Sequence, residues 1–372
     1  MVTEMTNPFN PSFGKRPTHF YGRQEITRAI IDAVDDENSP WRTTLITGIR
    51  GSGKTALLSD IKYHLDSKDV ISLYIVPNEA MLDEILSQLY KQLPKSALSA
   101  VPEFKNISLN LGVSVAVEKD KKRPHFTESF SHQIMELIDM HMKQNHHVVF
   151  LVDEAQKHTE EMRVFISVYQ KLIMREYSVS MVLAGLPAVV SDILNDDVLT
   201  FLRRAKQVEL ENIEMIIVEH EFMMVFSSKE SILTEEVIKK AAVGTFGYPY
   251  LIQLIGYYLW EKMNGNGNIS SLDKVFITSK TELFRNVHKL IFADLSNRDR
   301  EFVFAMSEDE GVSLVADIGK RLKKEKNFLS KYRDRLISAG VIKPAGYGVL
   351  QFCYPYMREF LQMKKREESA GF

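Results

Sequence analysis

Cysteine is nearly absent from this chain, because only one of its 372 residues, Cys353, carries a thiol. A single thiol excludes an intrachain disulfide framework and any zinc or iron–sulfur site with several cysteine ligands. Long apolar runs are also missing, and the apolar stretch 148–152 is far shorter than the ~20 residues of a membrane helix. Residues 1–17 contain no apolar core of the kind a signal peptide needs. We therefore expect a cytoplasmic protein with no membrane partner.

The formal net charge of the whole chain is only −2, but the charged residues are unevenly distributed along it. Residues 312–366 contain 13 Lys/Arg against 4 Asp/Glu, a net charge of +9, whereas the rest of the chain carries −11. A basic C-terminal segment on an acidic body indicates a polyanionic partner for that segment. The alternative is a solvated basic face that binds nothing.

The pattern of apolar residues divides the chain into four parts. Residues 1–40 are predicted to be an N-terminal arm and a first helix. Strands alternate with helices through residues 41–210, which is the pattern of an α/β fold with a parallel sheet. Residues 211–295 indicate helices only, and residues 296–366 indicate three helices and a hairpin, the pattern of a winged helix-turn-helix. A strict alternation over residues 107–117 predicts a further strand or hairpin.

A glycine-rich turn between a predicted strand and a predicted helix satisfies the pattern G-x-x-x-x-G-K-[ST]. Glycines let the backbone wrap a phosphate chain with several N–H groups pointing inward, at the positive end of a helix. The lysine of the pattern reaches the β- and γ-phosphates of ATP, and the hydroxyl after it binds Mg²⁺. A chance match in a glycine-rich turn is the alternative. The predicted nucleotide-binding residues are Gly48, Ile49, Arg50, Gly51, Ser52, Gly53, Lys54, Thr55 and Ala56.

Two carboxylates follow the apolar strand 148–152, which would place them at the same edge of the sheet as the glycine-rich turn. Asp153 suits the Mg²⁺ shell, and Glu154 suits activation of an attacking water molecule, so both Lys54 and Glu154 are predicted catalytic residues. The alternative is a helix N-terminus that favours acidic residues for electrostatic reasons.

These two segments, GIRGSGKT and FLVDEAQ, resemble the Walker A and Walker B elements of AAA+ ATPases. The arrangement is similar to that of the origin-recognition-like and STAND-related bacterial ATPases, over residues 8–362. The resemblance implies a P-loop NTPase core with a helical lid and a C-terminal winged helix. It also implies that Gly22 and Arg23 help to hold the adenine. The segment 247–250 resembles the start of the lid helix that carries sensor 2.

Three positions bear on the rate of hydrolysis. The predicted strand 179–184 ends in Ala184, followed by Gly185, where the family has a polar sensor 1 residue. The sensor 2 arginine falls at Tyr250, which we assign to the nucleotide site although it carries no positive charge. These departures predict slow hydrolysis. Arg203 and Arg204 lie where the family places an arginine finger that reaches a neighbour's nucleotide, which implies a homo-oligomer. Surface ion pairs are the alternative.

Long cations on the second helix and the hairpin of the C-terminal segment are candidates for contacts with the phosphates of double-stranded DNA. These are Lys331, Arg333, Arg335 and Lys343. A winged helix that docks a protein partner is the alternative. Two functions remain open from the sequence. One is a DNA-associated ATPase of replication, transposition or mobile-element maintenance, and the other is a STAND-like signalling or defence switch that acts on a protein effector.

Three histidines, His141, His146 and His147, cluster before the strand of Asp153. Their spacing fits no metal template, and we expect them to lie on the surface.

Overall fold

Five parallel strands form the central sheet of the N-terminal half of the chain. The computed structural model describes residues 6–12, 22–94, 124–155, 159–227, 233–263 and 272–369. The strands are β1 (Thr43–Thr47), β2 (Val70–Ile75), β3 (His147–Ala155), β4 (Val179–Gly185) and β5 (Lys206–Glu209), in the order β2-β3-β4-β1-β5. All four pairings are parallel, so the predicted α/β fold with a parallel sheet is confirmed.

Helices cover both faces of this sheet, which is why nearly every residue of its central strands β3 and β4 is buried. Alternate residues of β3 point to opposite faces: Phe150 packs into one core and Leu151 into the other. The flanking helices are α1 (Gln24–Asp32), α2 (Lys54–Leu65), α3 (Met81–Lys91), α4 (Pro124–Met142), α5 (Glu160–Met174) and α6 (Pro187–Leu194). Buried residues of α1 and α2 share a core with one face, and those of α3 to α6 share a core with the other.

The remaining chain is mostly helical and ends in a small antiparallel sheet. Its first helices are α7 (Met215–Ser227), α8 (Glu235–Val243), α9 (Pro249–Met263), α10 (Leu272–Leu283), a π-helical segment (Phe284–His288) and α11 (Lys289–Asp294). The C-terminal elements are α12 (Asn297–Met306), β6 (Val312–Leu314), α13 (Val315–Leu322), α14 (Lys326–Ser338), β7 (Ile342–Gly346), β8 (Val349–Phe352) and α15 (Met357–Ser369). The three strands pair in the order β6-β8-β7. A C-terminal region of helices and a hairpin is therefore present where the sequence predicts one.

The helical region and the C-terminal region share one hydrophobic core. Phe222 of α7, Leu251 of α9, Phe302 of α12 and Phe360 of α15 are all buried in the same cluster. The predicted division at residue 295 therefore falls inside a continuous core, and cutting the chain there would expose apolar surface on both sides.

Part of the predicted N-terminal arm also packs into this core. Phe9 is buried, with its ring 5.5 Å from that of Phe222 and 5.5 Å from that of Phe226. A Cβ on Gly256 would lie 2.2 Å from the Phe9 ring, so only glycine at that position of α9 leaves room for it. The aromatic side chain thus fixes the arm to the helical region.

Several elements differ from the sequence prediction. The strand β5 and the three-residue strand β6 were not predicted, because a few residues with one or two apolar side chains carry too little periodicity. The predicted strand at 107–117 lies outside the described residues. No helix in the described ranges is long and apolar enough to cross a lipid bilayer.

Candidate nucleotide-binding site

The glycine-rich turn connects β1 to α2 at the carboxyl edge of the sheet, as its sequence predicts. Gly51 and Gly53 have φ angles of +73° and +92°, which L side chains rarely adopt. A Cβ on Gly51 would also lie 2.1 Å from the hydroxyl of Tyr248. Glycine at position 51 is therefore required both by backbone conformation and by the close approach of α9.

Lys54 begins α2 and folds back over this turn. Its Nζ donates hydrogen bonds to the carbonyl oxygens of Gly48, at 2.7 Å, and Ile49, at 2.9 Å. Burial lowers the pKa of the lysine to about 8, and the charges of Asp153 and Glu154 partly oppose that shift. The Lys54 ammonium is thus held at the turn by neutral carbonyl oxygens. An anionic phosphate would compete with them for this ammonium, because hydrogen bonds between charged groups are stronger.

The residues beside Lys54 fit a nucleotide phosphate. The hydroxyl of Ser52 is buried, and it has no hydrogen-bond partner among the described residues. A buried polar atom without a partner is costly, and a bound phosphate oxygen would provide one. Thr55 lies in the first turn of α2, whose N-terminal N–H groups and dipole favour an anion.

Asp153 lies near the end of β3 and is 2% exposed. Its Oδ2 accepts a hydrogen bond of 2.5 Å from the hydroxyl of Tyr74 in β2, and its Oδ1 accepts one of 2.9 Å from the backbone N–H of Glu154. Desolvation and the hydrogen bond to Asp153 raise the pKa of Tyr74, so that hydroxyl stays protonated as the donor. A buried, oriented carboxylate of this kind, together with the Thr55 hydroxyl, matches the oxygen ligands that Mg²⁺ prefers.

Glu154 is exposed and has a φ of +51°, in the left-handed region that non-glycine residues seldom adopt. The pairing of β3 with β4 shifts register between Val152 and Ala155, so a bulge surrounds this residue. Bulges and strained residues are frequent next to active sites, where they redirect a side chain. The bulge separates the two carboxylates, with Asp153 buried and Glu154 open to solvent.

Gly22 and Arg23 lie against the start of the helical region. Gly22 has a φ of +65°, and a Cβ there would stand 3.2 Å from Ile213. The guanidinium of Arg23 donates to the carbonyl of Glu211. Burial lowers the pKa of Arg23, and the charge of Glu211 opposes that shift. The structure thus places both residues at the junction between the sheet domain and the helices, where the resemblance places the adenine.

Arg50, inside the glycine-rich turn, is held by three residues from the second half of the chain. Its carbonyl accepts a hydrogen bond of 2.5 Å from the hydroxyl of Tyr248, and its N–H donates one of 3.2 Å to the hydroxyl of Tyr354. Its guanidinium pairs with Asp294 at 3.1 Å. We call Tyr248, Asp294 and Tyr354 the Arg50 clamp. The clamp therefore links the turn to the residue before α9, to the end of α11 and to the segment between β8 and α15.

Tyr250, the residue at the sensor 2 position, lies beside the turn. Its Cβ is 3.2 Å from the point where a Cβ on Gly51 would lie. Its hydroxyl accepts a hydrogen bond of 2.8 Å from the amide of Asn286 in the π-helical segment. The structure thus brings Tyr250 to the predicted site, with the hydroxyl bonded to a protein partner.

Arg203 and Arg204 lie on the 3₁₀ turn Thr200–Arg204 that precedes β5, and both are exposed. The Nε of Arg203 donates a hydrogen bond of 2.8 Å to the carbonyl of Leu194 at the end of α6. Neither arginine has an ion pair among the described residues. Their position on the surface leaves both guanidinium groups accessible to a neighbouring molecule.

The four predicted DNA contacts fall into two pairs. Arg335 forms an ion pair of 2.5 Å with Asp299 and donates to the hydroxyl of Ser296, so it fixes the start of α12. Arg333 pairs with the adjacent Asp334. The other two cations, Lys331 and Lys343, are exposed and have no ion-pair partner in the part of the chain that the structure describes.

The expectation of surface histidines is wrong for two of the three residues. His141 is fully buried, and its Nε2 lies 2.9 Å from the carbonyl oxygen of Leu89. His147 is also buried, where its two ring nitrogens lie 2.8 Å from the hydroxyls of Ser178 and Ser180. Burial lowers the pKa of His147 to about 4, so this ring is neutral at physiological pH. Both imidazoles are satisfied core groups.

Sequence reasoning missed four residues that touch this site: Tyr74, Tyr248, Asp294 and Tyr354. Tyr74 ends an apolar strand, and a polar tip at that position was the available signal. Tyr248 lies inside the segment 247–250, but no local pattern relates it or Tyr354 to Arg50. Their contacts join residues about 200 and 300 positions apart, which a local pattern does not report.

Comparisons with known proteins agree with this geometry. A family model described as AAA ATPase domain matches residues 19–209. A second model, described as a domain of unknown function, matches residues 285–361. Among curated proteins, none matches this sequence.

Solved structures are similar over nearly the full length. The Walker-type ATPase PABY2304 of Pyrococcus abyssi has a TM-score of 0.63 at 16% identity, covering 94% of this chain and 97% of its own. The ADP form of the ORC2 protein of Aeropyrum pernix has a TM-score of 0.52 at 11% identity, covering 95% of this chain and 97% of its own. At these identities the likeness concerns the fold.

Proposed function

This chain belongs to the AAA ATPase domain family, and from that premise we propose that it is a slow ATPase whose nucleotide state controls a DNA-contacting C-terminal region. The observation that carries the proposal is the Arg50 clamp, because it joins the phosphate-binding turn directly to the helical lid (residues 211–295) and to the C-terminal region. A ligand that moves the turn must change these contacts, and it therefore shifts the balance between two arrangements of the lid.

Hydrolysis uses the residues at the carboxyl edge of the sheet. Lys54 and the N–H groups of the turn hold the β- and γ-phosphates, and the Glu154 carboxylate accepts a proton from the attacking water. As the new P–O bond forms at the γ-phosphorus, the bond to the β-phosphate oxygen breaks and ADP leaves. Thr55 and Asp153 would hold Mg²⁺, which neutralises charge on the phosphate oxygens when bound.

Slow turnover follows from the two sensor positions. β4 ends in Ala184 and Gly185, neither of which offers a polar side chain to the γ-phosphate. Tyr250 is neutral and its hydroxyl is bonded to Asn286. An arginine finger stabilises the charge of the transition state, and in GTPases it raises the rate by a factor on the order of 10³–10⁵. We therefore propose that Arg203 and Arg204 act on a neighbour's nucleotide within a homo-oligomer.

We expect specific ATPase activity to rise with protein concentration if the finger acts in trans. The variant Arg203→Ala/Arg204→Ala should lose most of its activity because its neighbour's site lacks the cation. Mixing it with Glu154→Gln should restore activity, since one variant supplies intact fingers and the other an intact base. Phosphate release measured over a dilution series and in 1:1 mixtures checks this. Concentration-independent activity without rescue on mixing would leave these arginines as surface cations.

Contact with duplex DNA is proposed through the C-terminal region, whose net charge of +9 over residues 312–366 would attract phosphates. Lys331 and Lys343 support the proposal most directly, because both are exposed and without ion-pair partners among the described residues. Four phosphate contacts would give a log–log salt slope of roughly −3.6, and two would give roughly −1.8.

The variant Lys331→Ala/Lys343→Ala should flatten the salt slope of duplex binding by about 1.8, since each phosphate contact releases about 0.9 counterion. Fluorescence anisotropy of a labelled duplex across a salt series, with ATP or ADP present, measures it. Point variants are preferable to truncation because the core continues through residue 295. Lys143→Ala/Lys171→Ala, which removes two exposed lysines without ion pairs in the described sheet domain, is the control. Equal slopes in all three proteins would contradict DNA contact by these residues.

A second candidate is a signalling switch that docks a protein effector. The observation in its favour is exposed apolar surface on the small sheet and its turn. Val312 and Leu314 of β6 are 48% and 51% exposed, and Tyr347 in the turn between β7 and β8 is 105% exposed. Arg333 and Arg335 also pair within the chain, which weakens their case as phosphate contacts. DNA binding that is insensitive to salt, or absent, would favour this candidate.

A further inference from the structure

An open groove of about 540 Å³ lies between α10, the π-helical segment and α15. It includes none of the predicted nucleotide-site residues. Six apolar or aromatic side chains line it: Phe276, Ile277, Phe284, Tyr356, Phe360 and Met363. Its volume is within the range of protein binding sites.

Two of these side chains are unusually open to water for apolar residues. Ile277 is 65% exposed on α10 and Met363 is 37% exposed on α15. Removing apolar surface from water is favourable, so a partner that covers both side chains would be favoured. A contiguous apolar groove with a polar rim is typical of a surface that receives an amphipathic segment.

The charged side chains on the rim of the groove are all cationic. Lys280, Arg285, Lys289 and Lys364 line it beside the neutral Thr281, and no carboxylate of the described residues does. Lys280 lies 4.2 Å above the ring of Tyr356, and neither it nor Lys289 has an ion-pair partner in the described ranges.

The other two rim cations are only partly neutralised. Arg285 lies 3.8 Å from Glu282, whose carboxylate also accepts a hydrogen bond from the hydroxyl of Tyr258. Lys364 pairs with Glu367 one turn along α15. The field at the groove is therefore positive, and it selects an anionic ligand.

We propose that this groove binds an acidic segment of a partner protein, which inserts an apolar side chain between α10 and α15 and places carboxylates on the rim. The apolar floor explains why a polynucleotide backbone is the poorer match, because phosphates and sugars would leave Ile277 and Met363 uncovered. The four cations explain why a neutral or basic segment is disfavoured. The proposal does not depend on ATP binding, because the groove shares no residue with the nucleotide site.

The test uses the full chain and a phage-displayed random peptide library, followed by anisotropy measurements on the individual enriched peptides. We expect enriched peptides to carry net negative charge and at least one large apolar residue. Their Kd should rise at least tenfold for Lys280→Glu/Lys289→Glu and for Ile277→Ser/Met363→Ser. The matched control Lys143→Glu/Lys171→Glu, with the same change of charge on the sheet domain, should bind them as the wild type does.

Four results would overturn the proposal. They are the absence of enriched peptides, enrichment of neutral or basic peptides, equal affinity for the groove variants and the wild type, and a groove variant that changes another property instead. If that property is oligomeric state in analytical ultracentrifugation, the groove holds a second copy of this chain. If it is duplex affinity, the occupant is a polynucleotide. The Ile277→Ser/Met363→Ser variant changes exposed side chains only, so it tests the groove even if charge reversal disturbs folding.

Discussion

Replacing Glu154 by glutamine is expected to leave ATP binding intact and to lower turnover by at least a hundredfold. The amide keeps the shape of the side chain but cannot accept a proton from water, and general bases contribute roughly 10²–10⁴ in rate. Titration with labelled ATP and a phosphate-release assay on the same sample measure the two quantities. Turnover at the wild-type rate would show that another group activates the water.

The backbone at position 154 provides a control for this prediction. Since Glu154 has a φ of +51°, glycine at this position relieves a conformation that disfavours other residues. Glu154→Gly should therefore lose turnover as glutamine does while its melting temperature stays the same or rises. A loss of activity without a loss of stability assigns the effect to the missing carboxylate and excludes misfolding as its cause.

Replacing Lys54 by alanine is expected to lower the affinity for ATP by at least a hundredfold. Hydrogen bonds to charged groups contribute about 1.5–3 kcal/mol each, and this ammonium would make them to two phosphates. Equilibrium binding of labelled ATP measures the change. Unchanged affinity would contradict the assignment of the glycine-rich turn as the phosphate site.

The same lysine predicts a pH dependence in the wild type. Burial holds the pKa of Lys54 at about 8 in the nucleotide-free protein, and a bound phosphate favours the protonated form and so raises that pKa. Above pH 8 the site must take up a proton in order to bind, so ATP affinity should fall by up to about tenfold per pH unit. Below pH 8 the lysine is already charged and this contribution is flat. Binding of ATP by Lys54→Met should lack the decline above pH 8.

The Arg50 clamp explains how a local event at the phosphates could reach the distant C-terminal region. The hydroxyl of Tyr248 donates to the carbonyl oxygen of Arg50, and the hydroxyl of Tyr354 accepts from its N–H. The rings of the two tyrosines are 6.2 Å apart. Gly340, at the end of α14, also approaches the side chain of Ile49 in the turn. The clamp therefore joins the turn to both later parts of the chain without an intervening linker.

Short local patterns are sufficient to predict a candidate nucleotide site from the sequence. A phosphate-binding turn is a continuous segment, and its glycines, Lys54 and Thr55 must stand at fixed spacing for their N–H groups and side chains to converge. Asp153 and Glu154 were found because an apolar strand that ends in carboxylates places them at the sheet edge. The left-handed backbone of Glu154 was not predictable, since no sequence pattern marks a non-glycine residue at positive φ.

The basic C-terminal segment shows the limit of counting charges. Composition grouped Lys331, Arg333, Arg335 and Lys343 together as phosphate contacts. In the fold, Arg335 pairs with Asp299, whereas Lys331 and Lys343 are exposed and have no ion-pair partner among the described residues. An arginine and an aspartate 36 positions apart meet only after α12 and α14 have packed. The charges can be counted from the sequence, but those contacts decide which of the cations can bind a phosphate.

Periodicity and short motifs act through neighbours along the chain, so they were sufficient to predict the α/β class and to propose the phosphate-binding turn and the two carboxylates. Three features became visible after the chain had folded: the orientation of Asp153 by Tyr74, the Arg50 clamp, and the cationic apolar groove between α10 and α15. The tertiary structure also decided that the helical and C-terminal regions share one core. Each of these features depends on side chains that are distant in sequence. They come together because the chain packs so as to bury its apolar surface.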